Sequence, residues 1–150
     1  MKYFIKLKIG ENMSKKKLEP IMEEMFEENK NISKHVIIGL TRFIIIWRIS
    51  KGKIHGYGLM KTIDEFFEEQ IELGIINKAN PSRIYPILKK LENSELIKGE
   101  WELQNNKNVK VYTITSKGEL FIKTMKEKIN LLSKTAKWSE LIEDIKRGYT

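Results

Sequence analysis

The stretch of sequence that decides the fold is NPSRIYPILKKLENSELIKGEWELQNNKNVKVYTITSKGE, residues 80–119. Its first part predicts a helix, because Asn80 is a favourable N-cap residue and Pro81, at the first helical position, has no amide hydrogen to satisfy. Apolar residues recur along it at spacings of three and four, which makes one helix face apolar. The members of that face are Ile84, Ile87, Leu88 and Leu91, and the opposite face carries Ser82, Arg83, Pro86, Lys89, Lys90 and Asn93.

Two interpretations of this helix are open from its residues alone. Its basic face either contacts an anionic partner or is simply hydrated, as on an ordinary amphipathic surface helix. Pro86 lies within the helix, where proline removes a backbone hydrogen bond and clashes with the preceding turn. Because it falls in the first two turns, where some amides lack intrahelical partners anyway, we expect a bend and not a break.

A β-hairpin is predicted directly after the helix. Trp101 and Leu103 are two residues apart in one segment, as are Tyr112 and Ile114 in the next, and this alternation is typical of half-buried strands. The connection QNNKN, residues 104–108, is rich in residues that tolerate turn conformations. The hairpin is either a basic wing that contacts DNA or a plain solvent-exposed hairpin. The lysines that flank its tip are Lys107 and Lys110, and the predicted N-cap of the next helix is Thr115.

A helix that can lie in the major groove, followed at once by a basic hairpin, is the arrangement of a winged helix-turn-helix and predicts binding to double-stranded DNA. The motifs in this stretch and before it resemble those of the PadR family of transcriptional regulators. The resemblance covers about residues 34–132, in the order and spacing of the family. Its motifs are Gly56-Tyr57, YPILKKLE at residues 85–92, Leu96-Ile97, Trp101, and YTITSKG at residues 112–118.

The resemblance implies a mainly α-helical fold with a small β-hairpin: a winged helix-turn-helix domain and a C-terminal dimerisation helix. The residues before the resemblance add an extra N-terminal helix to this predicted fold. It implies a sequence-specific regulator, in most relatives a repressor, that binds a palindromic operator as a homodimer, since two recognition helices must reach successive major grooves. The alternative is a winged-helix protein–protein interaction module without specific DNA binding. The predicted domains are residues 1–33 (leader and extra helix), 34–115 (DNA-binding domain) and 116–150 (dimerisation region).

The residues expected to contact DNA are Ser82, Arg83, Tyr85, Lys89, Lys90, Lys107 and Lys110. Arg83 stands where a small polar residue is common in the family. It is the best candidate for a base contact, because a guanidinium can form a bidentate fork to guanine. The wing lysines are expected to bind phosphates as point charges, and so to supply affinity more than base reading. Tyr85 is expected either to contact phosphate or sugar or to pack between helix and wing.

Composition and charge agree with a small DNA-binding protein. The 150-residue chain has a formal net charge of +8 at pH 7, which attracts polyanions. It contains no cysteine and two histidines, His35 and His55, so we expect no metal site, no cofactor and no enzyme activity. His55 is expected to support the turn at Gly56. The lack of cysteine is compatible with a reducing cytoplasm, the predicted location, and no membrane span is predicted.

The residues before the resemblance predict a leader and a helix. Residues 1–13 have no place in the family pattern, and Met13 followed by Ser14 would be a suitable start, so this leader is expected to be disordered or not translated. The helix after it is assigned to dimer packing, with packing on its own domain as the alternative. The predicted helices up to the recognition helix span residues 16–29, 35–50 and 56–70, with a turn at residues 74–80.

The C-terminal region carries two apolar stripes that point about 150° apart if one unbroken helix holds both. Either the helix breaks near residues 133–135 or its second face meets another subunit, and the resemblance favours the dimer. Trp47 and Trp138 are expected to be core or dimer-packing residues. Because some relatives respond to small hydrophobic compounds, such an effector is an expectation, with no residue assigned to it. The stripes are Phe121, Met125, Ile129 and Leu132, then Trp138, Leu141, Ile142 and Ile145.

Overall fold

The structure is a computed structural model that describes residues 15–148. The expected disorder or non-translation of residues 1–13 lies outside the described residues. The fold is mainly α-helical with one small antiparallel sheet, which confirms the predicted fold class. The elements in chain order are α1 (Lys15–Ser50), β1 (Ile54–His55), α2 (Gly56–Phe66), α3 (Glu68–Glu72), α4 (Pro81–Asn93), β2 (Ile97–Gln104), β3 (Lys107–Ile114), α5 (Ser116–Ser133) and α6 (Ala136–Arg147).

Two predicted helix boundaries are wrong. Helix α1 is continuous where we predicted separate helices at residues 16–29 and 35–50. The intervening residues 30–34, KNISK, contain neither proline nor glycine, so nothing in them ends a helix. The helix predicted at residues 56–70 instead stops at Phe66. Phe67 leaves the helical region, with φ −117° and ψ 24°, and caps the short α3 that follows.

The chain divides into two units, residues 1–41 and residues 42–150. The predicted domain boundaries, after residues 33 and 115, stay predictions. In the described part of the chain no helix is long and apolar enough to cross a membrane.

The core of the second unit is built from the last turns of α1, from α2, α4 and β3. Burial of each such aliphatic side chain stabilises the fold by about 1.5–3 kcal/mol. A smaller cluster at the base of the hairpin joins Ile46, Leu96 and Ile122, and Trp47 packs against it, as predicted for that tryptophan. The fully buried core residues are Ile45, Ile46, Ile49, Leu59, Ile63, Ile84, Leu88 and Tyr112.

The sheet has the strand order β1-β3-β2 and is antiparallel throughout. The two-residue strand β1 adds a third strand to the predicted hairpin, through the pairs Ile54↔Tyr112 and His55↔Val111. Helix α5 then starts at its N-cap Thr115, whose hydroxyl accepts a hydrogen bond from the Gly118 amide at 3.0 Å, as predicted. The C-terminal helix is interrupted at residues 134–135, between α5 and α6. Of the two open interpretations of the C-terminal stripes, the helix break is therefore confirmed.

Candidate nucleic-acid interface

Helix α4 begins where the sequence predicts. The Asn80 side chain accepts a hydrogen bond from the Arg83 amide at 3.1 Å, and Pro81 occupies the first turn. This cap satisfies one of the amides that the start of a helix leaves unpaired. The helix continues through Pro86 to Asn93, so the expected absence of a break is confirmed. The recognition helix is therefore a regular element whose caps and apolar face are set by local sequence.

The solvent face of α4 carries most of its predicted contact residues. Ser82, Lys89 and Lys90 are exposed, while Ile84 and Leu88 lie in the core. These three polar side chains are free to meet a ligand that lies along the helix.

Arg83 departs from the prediction that it stands on the open face. Its side chain is half-buried, and its Nε is fully buried with no hydrogen-bond partner among the described residues. A buried donor without a partner raises the free energy of the folded protein, because it has lost its hydrogen bonds to water.

The hairpin is longer than predicted and its turn is tighter. β2 and β3 are eight residues each, in a register that runs from Ile97↔Ile114 to Gln104↔Lys107. The turn consists of Asn105 and Asn106 alone, with φ of 48° and 61°. Two consecutive positive φ values define the type I′ turn that matches the twist of paired strands, and asparagine tolerates this conformation. The prediction of a five-residue connection at 104–108 is therefore wrong.

The two apolar residues predicted to be half-buried in the first strand are in fact exposed. Trp101 is 70% exposed and Leu103 is 71% exposed, whereas Ile97 at the start of the same strand is buried. Burial falls along β2 because only the first residues of the hairpin lie under the helices. Alternation alone does not reveal where a hairpin extends beyond the core.

The two wing lysines occupy different environments. Lys107 is exposed directly after the turn. Lys110 Nζ lies 3.0 Å from Glu92 Oε1 and 3.3 Å from Oε2, and 5.6 Å from the centre of the Tyr112 ring. The Lys110 and Glu92 side chains are each about 30% exposed, so this ion pair is partly screened by protein. The structure thus joins Lys110 to the recognition helix and leaves Lys107 at the tip.

Gly99 and the Tyr112 ring both lie close to this ion pair. A Cβ at Gly99 would collide with Lys110 Cε, so the absence of a side chain there makes room for the lysine. Tyr112 is almost wholly buried, and burial, together with the nearby charges of Glu92 and Tyr85, raises the pKa of its phenol to about 12. The base of the wing is therefore a packed contact between hairpin and recognition helix.

Tyr85 packs against the start of α2, a contact that neither of its two predicted roles named. A Cβ on Gly56 would lie 2.7 Å from the Tyr85 hydroxyl oxygen, so a larger residue at position 56 would displace the Tyr85 side chain. His55 caps the same helix, since its Nδ1 accepts a hydrogen bond from the Gly58 amide at 2.9 Å, and its predicted support of the turn is confirmed. A phosphate contact by the half-exposed Tyr85 stays a prediction.

These elements enclose a cleft of about 630 Å³ between the start of α2, the recognition helix and the wing. Nine of its twelve lining residues were not predicted as site residues, among them Tyr57, Glu92, Trp101 and Asn108. The register Trp101↔Lys110 would have followed from the Asn-Asn turn, had the turn been recognised as type I′. Nothing local indicates the contact between Glu92 and Lys110, because they are 18 residues apart. Within the described residues no group of histidine, aspartate and glutamate could hold a metal ion.

Comparison with known proteins points to one family. The family described as "Transcriptional regulator PadR-like family" matches residues 45–124, and no curated protein sequence matches the chain. A Streptococcus transcriptional regulator is similar in structure, with 21% identity and a TM-score of 0.55 over 71% of this chain and 94% of its own. A transcriptional regulator from Clostridium thermocellum gives 25% identity and 0.51 over 67% and 92%. Bacillus subtilis PadR, solved in complex with operator DNA, gives 32% identity and 0.43 over 56% and 45%.

Proposed function

The chain belongs to the PadR-like family of transcriptional regulators, and we propose that it is a repressor that binds a palindromic operator as a homodimer. Membership makes it a DNA-binding transcriptional regulator and not an enzyme. DNA binding through α4 and the wing is supported chiefly by one observation: the recognition helix and the wing tip both present exposed polar and basic side chains to solvent. These side chains are Ser82, Lys89, Lys90 and Lys107.

In the proposed complex α4 lies in the major groove. Lys89 and Lys90 bind phosphates, Lys107 binds the backbone from the wing, and Ser82 lies at the helix end that meets the base edges. Arg83 turns from its half-buried position toward a guanine, where its unpaired Nε and the rest of its guanidinium gain acceptors. Loss of Arg83 would therefore relax base preference, whereas loss of a lysine would weaken binding to all sequences alike.

Exposed apolar residues on the C-terminal helices support the homodimer. The side chains of Leu132, Trp138, Leu141 and Ile145 are all at least two-fifths exposed on α5 and α6 in the single chain. Contiguous exposed apolar residues are a common sign of a protein–protein interface. A two-fold dimer would set two recognition helices about 34 Å apart, one turn of DNA, which is why we propose a palindromic operator.

Release of the operator by a small hydrophobic effector, and residence in the cytoplasm, complete the proposal. Both are extended from relatives of the family, and no effector residue is assigned. The alternative function is a winged-helix module that binds another protein through the same face.

Selection of bound fragments from genomic DNA, followed by gel shifts across a salt series, tests this function. We expect one enriched palindrome, and a Lys89→Ala variant whose salt slope is lower by about one unit. Lys126→Ala, at an exposed lysine of α5, is the matched control and should leave the slope unchanged. Without an enriched sequence, and with Lys89→Ala indistinguishable from Lys126→Ala, the interaction module would be the better description.

Light scattering tests the dimer separately. Ile145→Glu, at a position that is largely exposed in the single chain, should leave the fold intact and yield a monomer with weak operator binding. A dimer that persists in this variant and in Leu141→Glu would refute the assignment of α6 to the interface.

A further inference from the structure

Two exposed aromatic side chains line the cleft between the recognition helix and the wing. Trp101 comes from β2 and Tyr57 from the start of α2, and each is at least 70% exposed. Tryptophan can offer a large apolar contact area to a ligand, and Trp101 stands where an occupant of the cleft would cover it. Neither residue is among the expected DNA contacts.

The charges that line this cleft favour an anionic occupant. Lys89 and Lys110 line it, and Glu92, the one acid among the described residues around it, is neutralised by Lys110. A second groove offers a contrast within the same unit, since four of its lining residues are acidic and two are basic. Its acids are Asp64, Glu65, Glu68 and Glu72, and its lysines are Lys61 and Lys78.

The geometry of duplex DNA indicates which anionic group would lie in this cleft. A helix in the major groove and a wing at the adjacent minor groove are separated by the one sugar–phosphate strand that divides the two grooves. The cleft lies between α4 and the wing. If those two elements bind as proposed above, the strand has to cross this cleft.

We propose that the cleft holds this sugar–phosphate strand, with Trp101 packed on a deoxyribose and the Tyr57 hydroxyl donating a hydrogen bond to a phosphate. The inference rests on the proposed DNA-binding function and adds two contact residues to it. Tyr57 is oriented by stacking on His55, with ring centres 6.4 Å apart and planes at 29°. Trp101 stands opposite Lys110 in the register, and Lys110 is fixed by Glu92.

These contacts differ in kind from those of the lysines. Apolar packing on a sugar and a neutral hydrogen bond displace few counterions, so they contribute to affinity without adding to its salt dependence. A small planar molecule is the rival occupant. The cleft is about half open to solvent, which suits a strand that lies on the protein surface better than a ligand that must be enclosed.

Fluorine NMR of the full chain labelled with 5-fluorotryptophan tests the occupant directly. The three tryptophans give three resonances, and Trp101→Phe identifies the one from Trp101. Selected operator DNA should shift the Trp101 resonance and leave that of Trp47, which packs in the core, in place. Operator binding with an unmoved Trp101 resonance would overturn the inference while the proposed function stands, and failure of the unaltered protein to bind any DNA would overturn both.

Affinity measurements complete the test. Trp101→Ala should weaken operator binding about tenfold at an unchanged salt slope, and Trp101→Phe should lose less. Leu103→Ala is the matched control, because Leu103 lies two residues further along the same strand, is 71% exposed and does not line the cleft. Tyr57→Phe should weaken binding about threefold. Equal losses for Trp101→Ala and Leu103→Ala, or a small aromatic compound that shifts Trp101 when DNA does not, would refute the strand as occupant.

Discussion

The base and the tip of the wing belong to the same two strands and differ in the contacts that hold them in place. At the base, Lys110 pairs with Glu92 on the recognition helix, above the buried Tyr112. At the tip, Lys107 follows a two-residue turn and is exposed to solvent. The base is held by tertiary contacts, and the tip is held chiefly by strand pairing and its turn.

This difference separates two roles that sequence alone assigned together. A lysine that is already paired contributes less to phosphate binding, because its charge is neutralised before DNA arrives. We therefore expect Lys110 to serve chiefly in fixing the hairpin on the recognition helix, and Lys107 to be the wing lysine that binds DNA. Changes at the base should alter stability, and changes at the tip should alter binding.

The largest expected effect is at Gly118, under the base of the wing. A Cβ there would collide with the Leu96 carbonyl oxygen, which belongs to the backbone and cannot turn aside as a side chain would. Gly118→Ala should therefore lower the free energy of unfolding by about 3 kcal/mol. Urea denaturation followed by circular dichroism measures it.

Gly39→Ala is the matched control for this change. Gly39 also lies in a helix, and a Cβ there meets no described atom within 4 Å. Alanine should raise stability by about 0.5–1 kcal/mol, because it lowers the entropy of the unfolded chain and favours helix. Equal effects of the two substitutions would contradict the close packing at the wing base.

The recognition helix could be predicted from sequence and the environment of the wing could not. Asn80, Pro81 and the spacing of Ile84 and Leu88 are local signals, and they set the start and buried face of α4. The exposure of Trp101 depends on how far the hairpin extends beyond the helices, which is a tertiary property. The half-burial of Arg83 likewise comes from packing that no spacing reveals.

The second effect is the pH dependence of stability that arises from Tyr112 at the base of the wing. The pKa of Tyr112 is raised to about 12 from an ordinary value of 10.0, so the folded state favours the neutral phenol. Its contribution to stability is complete below pH 10 and is lost as the pH rises from 10 to 12. Unfolding free energies across this range should fall more steeply for the unaltered protein than for Tyr112→Phe. Parallel curves of unfolding free energy against pH would show that the phenol ionises equally in the folded and unfolded states. Lysine titration affects the unaltered protein and Tyr112→Phe alike, so it cancels when one curve is subtracted from the other.

The third effect compares the two lysines directly. Lys110→Ala leaves Glu92 partly buried without its partner and should cost about 1 kcal/mol of stability. Lys107→Ala should leave stability unchanged and reduce the salt slope of operator binding by about one unit. The double variant Glu92→Lys with Lys110→Glu should recover most of the stability that Lys110→Ala loses. If Lys107→Ala were the destabilising variant, the assignment of roles to base and tip would be reversed.

The smallest expected effects come from backbone conformation at the two ends of the hairpin. Glu95, just before the base, has φ 58°, and Asn106, at the tip, has φ 61°. Glycine adopts positive φ without steric cost, and asparagine tolerates it better than glutamate does. Glu95→Gly should therefore raise the free energy of unfolding by about 1 kcal/mol, and Asn106→Gly by roughly 0.3 kcal/mol. Thermal denaturation of both variants measures the difference. Both substitutions leave Lys107 and the exposed face of α4 in place, so operator affinity should stay the same. A gain in affinity from Asn106→Gly alone would mean that the rigidity of the turn at the tip limits binding.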